Sequence, residues 1–194
     1  MRLLLLLLST LPLFAGGILW HYIDNRILPA LPSQQEIEDI QMQTPLRVLA
    51  RDGSLIAEFG EKHRTPLTFS EIPQPMIDAI IAAEDERFFE HPGIDATGIA
   101  RAAFQYLITG QKRQGGSTIT MQMARNFFLT REKSWERKIK ELFLAVRIEE
   151  SYSKQDILTL YLNKVFLGHR AYGIEAAFQT YYGVSSSQAT LAQT

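Results

Sequence analysis

The stretch AIIAAEDERFFEHPG, residues 79–93, opens as an apolar helical run and closes in a knot of acids, aromatics and a histidine. At helical spacing Ile77, Ile80, Ile81 and Phe88 share a stripe, and Glu84 falls on the same stripe. A helix predicted over about 76–89 would therefore carry a carboxylate on the face it buries. Lost hydration would make that carboxylate a stronger base. The plainer reading is a glutamate at a cleft edge that snorkels or pairs with Arg87. A partner elsewhere in the chain has to decide between them.

One candidate partner is RKIKE, residues 137–141, inside a predicted helix over 133–150. Ile139, Leu142, Phe143 and Val146 form its expected core face, while Arg137, Lys138 and Glu141 stand together on another. A solvated ion cluster is the cheap alternative. Against it, basic residues ahead of the acid are the poorer orientation for helix stability. The cluster also continues into Leu144, Ala145 and Ile148, which suggests a partly covered groove. Between the two acids lies RQGGSTITMQMARN, residues 113–126. Gly115 and Gly116 allow close backbone approach, and Ser117 or Thr118 can cap the next helix, whose free N–H groups would form an anion site. Thr118, Gln122, Arg125 and Asn126 make a polar stripe suited to phosphate and sugar hydroxyls. An ordinary capped amphipathic helix would look the same.

The chain has 194 residues, of which 46% are hydrophobic, enough for one domain with a real core plus an appendage. Its net charge of -1 implies no global field toward nucleic acid or membrane. Locally, residues 36–90 hold five Lys/Arg against twelve Asp/Glu, whereas residues 101–147 hold ten against three. The basic stretch could face an anionic substrate or lipid headgroups, unless folding interleaves the two. The absence of cysteine excludes disulfides, thiolate catalysis and Cys-type zinc sites.

From Leu3 to Ile23 the chain carries no Asp, Glu, Lys or Arg, a length of roughly 30 Å as a helix, about one hydrocarbon core. Arg2 ahead of it favours a cytoplasmic N-terminus, and Trp20 and Tyr22 suit the far interface. A cleaved signal peptide competes, since Ala15, Gly16 and Gly17 follow the leucines, but the apolar run passes through them without a polar cleavage region. An uncleaved signal-anchor (1–23) is the favoured expectation, with the rest of the chain outside the cytoplasm. A polar, Pro-bearing linker (24–45) should follow, then a hairpin around Asp52-Gly53 in RVLARDGSLIAEF, residues 47–59. Beyond Pro73 and Pro75 the pattern is helical over about 76–89, 95–109, 117–129, 133–150, 154–163 and 171–182.

In order and spacing, EDERFFEHPG (84–93), GGSTITMQMARN (115–126), RKIKE (137–141), KQDILTLYLN (154–163) and HRAYGIEAAFQTYYG (169–183) resemble the five motifs of the peptidoglycan glycosyltransferases. These are the lysozyme-like transferase domains of class A penicillin-binding proteins and their monofunctional relatives. Met121 and GHRAYGIEAA look most like the larger bifunctional members. The resemblance implies a mainly α, bilobal, lysozyme-like domain over 46–194, with a short N-terminal β-hairpin and one transmembrane helix before it. Residue by residue, it implies that Glu84 is the general base and Glu141 the second essential glutamate, near the leaving group. Lys138 and Arg137 match the pair that neutralises pyrophosphate. Gly116, Ser117, Thr118, Thr120, Gln122, Arg125 and Asn126 match the donor and acceptor lining, and Asn163 and Arg170 the cleft floor. His91 matches a structural hydrogen-bonding position.

The implied reaction joins lipid II to a lipid-linked glycan chain at the outer face of a bacterial inner membrane and releases undecaprenyl pyrophosphate. The resemblance allows a divalent cation (Mg or Mn) at the pyrophosphate, further cell-wall synthesis proteins as partners, and no nucleic acid. There are departures: Thr159 stands where many members have an acid, and Val184 where a basic residue is usual. SYSK (151–154) has Ser-x-x-Lys spacing but no partner motifs, so it reads as chance and transpeptidation is not expected here. The family domain normally continues past Thr194, so the chain reads as C-terminally truncated. The rival expectations are a lysozyme-like glycan hydrolase and a non-catalytic anchored module that binds lipid II or docks a partner.

Overall fold

The computed structural model describes residues 14–40, 46–59, 66–111, 115–130 and 132–194. Residues 14–22 are helical (α1) and run through a π turn, Ile23–Ile27, and a 3-10 turn, Leu28–Ala30, into the short α2, Gln34–Glu38. No helix among the described residues is long and apolar enough to cross a membrane. Most of the span expected over Leu3–Ile23 lies outside the described residues.

The segment expected to be a linker packs on the domain instead. Ser33 and Glu36 form a capping box that starts α2, and Ile27, Leu31 and Ile37 are buried. Arg147 donates to the Pro32 carbonyl at 3.1 Å, and the Tyr152 hydroxyl donates to the Ile37 carbonyl at 2.8 Å. Polar composition concealed three apolar residues that face the body of the protein. Strands β1, Leu46–Leu49, and β2, Leu55–Phe59, then pair antiparallel, with a register shift between Val48 and Leu49.

Six longer helices follow: α3, Gln74–Glu84; α4, Ala96–Thr109; α5, Ile119–Phe128; α6, Trp135–Ser151; α7, Lys154–Lys164; and α8, Ile174–Tyr182. Their starts are local chemistry. Asp95, Thr118, Ser134 and Ser153 each accept a backbone N–H of the first turn that would otherwise have no partner. Helix α5 packs against both α6 and α7. Ile119 and Met123 of α5, Leu144 and Ile148 of α6, and Ile157 and Leu158 of α7 meet in the main core, which also takes in Ile77, Phe88, Ile174 and Phe178.

The opening stretch departs from its sequence reading at one point. Helix α3 ends at Glu84, because Asp85 leaves the helical region (φ -160, ψ 74). Phe88 is buried as expected, but from a turn rather than from the helix stripe. This turn is locked at Gly93. Its φ is +85, and a Cβ there would stand 2.9 Å from both the Ala145 carbonyl oxygen and Glu149 Cγ. Gly93→Ala should therefore cost about 3 kcal/mol, from left-handed strain and overpacking together. Denaturant melts of the two proteins give this directly, and a loss under about 0.5 kcal/mol, an ordinary surface effect, would contradict the close approach.

Candidate active site

A cavity of about 370 Å³ opens where the C-terminus of α3, the start of α4 and the N-terminal half of α5 converge. Glu84, Gly116, Ser117, Thr118, Gln122 and Arg125 line it, as do Glu86, Arg87 and Arg101. Glu84 is exposed. The desolvated base expected from the apolar stripe is not what the fold presents, because the helix stops at this residue and opens its side chain to the pocket. Its Oε2 accepts a hydrogen bond from Gln122 Nε2 at 2.8 Å.

The buried glutamate is Glu141, at 1% exposure. The α6 core face is not Ile139–Leu142–Phe143–Val146: the buried positions are Glu141, Leu144, Ala145 and Ile148, and Val146 is exposed. Glu141 thus lies on the inward seam, and burial of an ionised carboxylate requires compensation. Lys138 Nζ supplies it at 2.8 Å from Oε2, and Arg137 Nε lies 3.1 Å from Oε1. Lys138 Nζ also donates to Ser117 Oγ at 2.7 Å. Ser117 lines the pocket, so this lysine links the buried acid to the pocket wall.

Asp85 escaped sequence reading. It is buried, with its oxygens 3.0 and 3.1 Å from His91 Nε2, and it accepts the Ile119 N–H at 3.0 Å. A break in a helical pattern beside a His-Pro-Gly turn was the available signal. Its consequence corrects the anion site expected at the start of α5. Asp85 takes the Ile119 N–H and the Thr118 hydroxyl takes the Met121 N–H. That helix start is largely spent on the protein itself.

Other expected lining residues sit elsewhere. Thr120 is fully buried and donates to Glu149 Oε1 at 2.6 Å; the same carboxylate oxygen receives Lys154 Nζ at 2.8 Å. Thr120 therefore ties α5 to α6 and does not line the cavity. Asn163 is also buried, and its amide clamps the Leu67 backbone through N–H and C=O at 2.8 and 2.7 Å. Asn126 is half-buried, and Arg170 is exposed at the tip of a turn where it and His169 both adopt positive φ (61 and 43). Neither lines the cavity. On the α4 side, Asp95 accepts from Arg87, Thr97 and the Gly98 N–H. Burial raises its pKa, but these donors outweigh that and hold it at about 2. Among the described residues no group of three or more His, Asp or Glu gathers to hold a metal ion.

Glu84 lines this cavity, whereas Glu141 and Lys138 are not among its lining residues and reach it only through the Lys138–Ser117 hydrogen bond. The transglycosylase family model matches residues 52–194, and the chain belongs to that family. Penicillin-binding protein 1A of Vibrio cholerae is 53% identical over 163 residues, 84% of this chain and 20% of that protein. The Escherichia coli protein of the same name is 50% identical over 97% of this chain and 22% of its own length. The chain thus spans about a fifth of these relatives. A crystal structure of penicillin-binding protein 1A from Haemophilus influenzae aligns at 28% identity over 79% of this chain and 13% of that one, with a TM-score of 0.36.

Proposed function

We propose that this chain is a peptidoglycan glycosyltransferase that extends a lipid-linked glycan with lipid II. The observation that carries the reading is one pocket with Glu84 on one wall and Ser117, bound to Lys138, on another, with Arg125 and Arg101 in the same lining. Glu84 takes the proton from the 4-hydroxyl of the acceptor's N-acetylglucosamine. The freed oxygen attacks the anomeric carbon of the donor chain, and the bond from that carbon to pyrophosphate breaks. Attack and departure on opposite faces invert the centre, so base and leaving-group site belong on separate walls. Lys138, with Arg137 and Arg125, meets the charge that develops on the leaving undecaprenyl pyrophosphate.

A divalent cation remains part of the proposal. Asp85 and Asp95 are committed to His91 and Arg87, so only Glu84 and Glu86 are pocket carboxylates without a cationic partner among the described residues. A Mg or Mn ion would then be held mainly by phosphate oxygens, with at most one of these carboxylates. Its chemistry would be neutralisation of pyrophosphate charge. The apolar run Leu3–Ile23 supports an anchor in the inner membrane with a lysozyme-like transferase domain outside the cytoplasm, where a lipid-linked substrate would be within reach.

The chain purified in detergent and given lipid II should form glycan strands and release undecaprenyl pyrophosphate. Binding of lipid II without turnover would favour the non-catalytic module. Shortening of preformed glycan would favour the hydrolase, although that reaction expels a neutral sugar hydroxyl and gives the cations no anion to meet.

A further inference from the structure

Tyr161 lies on α7 within the main core, at 2% exposure. Its hydroxyl stands 3.4 Å from Gln122 Oε1, and Gln122 Nε2 donates to Glu84 Oε2 at 2.8 Å. Side chains from α7, α5 and α3 thus form one chain of polar groups that ends on the pocket carboxylate.

The chemistry of that chain is directional. A primary amide has one donor end and one acceptor end, whereas an ionised carboxylate only accepts. Gln122 must therefore turn its NH₂ toward Glu84 and its Oε1 toward Tyr161, where a donor is required. The Tyr161 hydroxyl is held in its donor form: burial, then the negative charge of Glu84, push its pKa up to about 12. Glu84 needs the tether. It is exposed, it is the last residue of α3, and Gln122 is its sole hydrogen-bond partner among the described residues. We infer that Tyr161 is a positioning residue for the general base: its hydroxyl fixes the Gln122 amide so that Glu84 Oε2 is pinned and Oε1 is left to meet the sugar hydroxyl.

This rests on the reading of Glu84 as base. The 3.4 Å separation is long for an O–H···O bond and suits an open pocket, since such contacts tighten when substrate arrives. The aromatic ring, not the hydroxyl, does the packing, so Phe retains the core role while deleting the polar one.

The test is a double-mutant cycle in the full chain with Tyr161→Phe, Gln122→Ala and the pair, read as initial rates of lipid II polymerisation across lipid II concentrations. Melting curves set a temperature at which all four proteins are folded. Tyr161→Phe alone should lower kcat by about fivefold to tenfold and leave KM within about twofold. In the Gln122→Ala background the same change should have less than about a twofold effect, because nothing remains for the hydroxyl to hold. Equal losses in both backgrounds would mean a purely structural effect and overturn the inference, as would no loss in either, or a change in KM alone. Glu84→Gln run alongside separates the two levels. If it retains activity, the base assignment fails and this inference with it; if it is inactive while the cycle is additive, only the inference fails.

Discussion

Glu84→Gln should lower lipid II polymerisation on the order of a thousandfold, within the range that positioned general bases contribute. The amide has the shape of the carboxylate but cannot accept the proton of the attacking hydroxyl at neutral pH. Its fold should be untouched. Glu84 is exposed at the last position of α3 and its hydrogen bond is to Gln122, so the exchange belongs with surface substitutions worth about half a kcal/mol or less. Lipid II binding should persist, because the cationic lining is unchanged. The decisive comparison is single-turnover rate against binding affinity for the two proteins, with matched melting curves. If the variant keeps more than about a tenth of the activity, a loss too small for the sole base, then the base lies elsewhere. Glu86, the other pocket carboxylate without a cationic partner among the described residues, becomes the candidate.

That Glu84 reaches a pocket at all was legible in the chain, but for a reason different from the one its periodicity suggested. The stripe of Ile77, Ile80 and Ile81 predicts a helix that continues to Phe88, and a 3.6-residue period cannot register a stop whose partner is a backbone N–H 34 residues ahead. Asp85 breaks the helix while its carboxylate meets the Ile119 N–H, and that contact exists only once α5 is in place. The same limit explains α6. Two faces of that helix are apolar enough to be core; α5 packs on the seam of Leu144 and Ile148, which leaves Ile139, Leu142 and Phe143 only partly buried and Val146 exposed. Helix extents elsewhere came through well, since Thr118, Ser134 and Ser153 announce their caps locally. Thr120 shows what a linear motif hides: a polar residue beside pocket residues can point into the protein and bind Glu149.

Lys138→Ala should lower turnover on the order of a hundredfold, because a cation near the leaving group counts most when pyrophosphate charge develops. The structure changes what else this substitution does. Lys138 is not a bystander on a solvated face: its Nζ bonds both Ser117 Oγ and the buried Glu141. Removing it leaves Glu141 with Arg137 as its remaining ion-pair partner. A stability loss of about 1–2 kcal/mol should accompany the loss of activity, below the 3–5 kcal/mol of a buried charge left without any partner.

Chemistry and stability can be separated because the chain has no cysteine. Lys138→Cys would carry the only thiol, on a side chain that is 42% exposed in its lysine form and so within reach of an alkylating reagent. Aminoethylation of that thiol restores an ammonium group at close to the lysine length, without touching any other cysteine. The unmodified variant should be as slow as Lys138→Ala, and the aminoethylated protein should recover at least about a tenth of the original turnover, a tenfold gain in which electrostatic contact with the leaving group is regained. A folded, fully alkylated protein that stays inactive would remove Lys138 from the leaving-group role and leave it as the ion-pair partner of the buried Glu141. A Lys138→Ala protein with unchanged turnover would go further, since a reaction indifferent to this cation expels no pyrophosphate beside it.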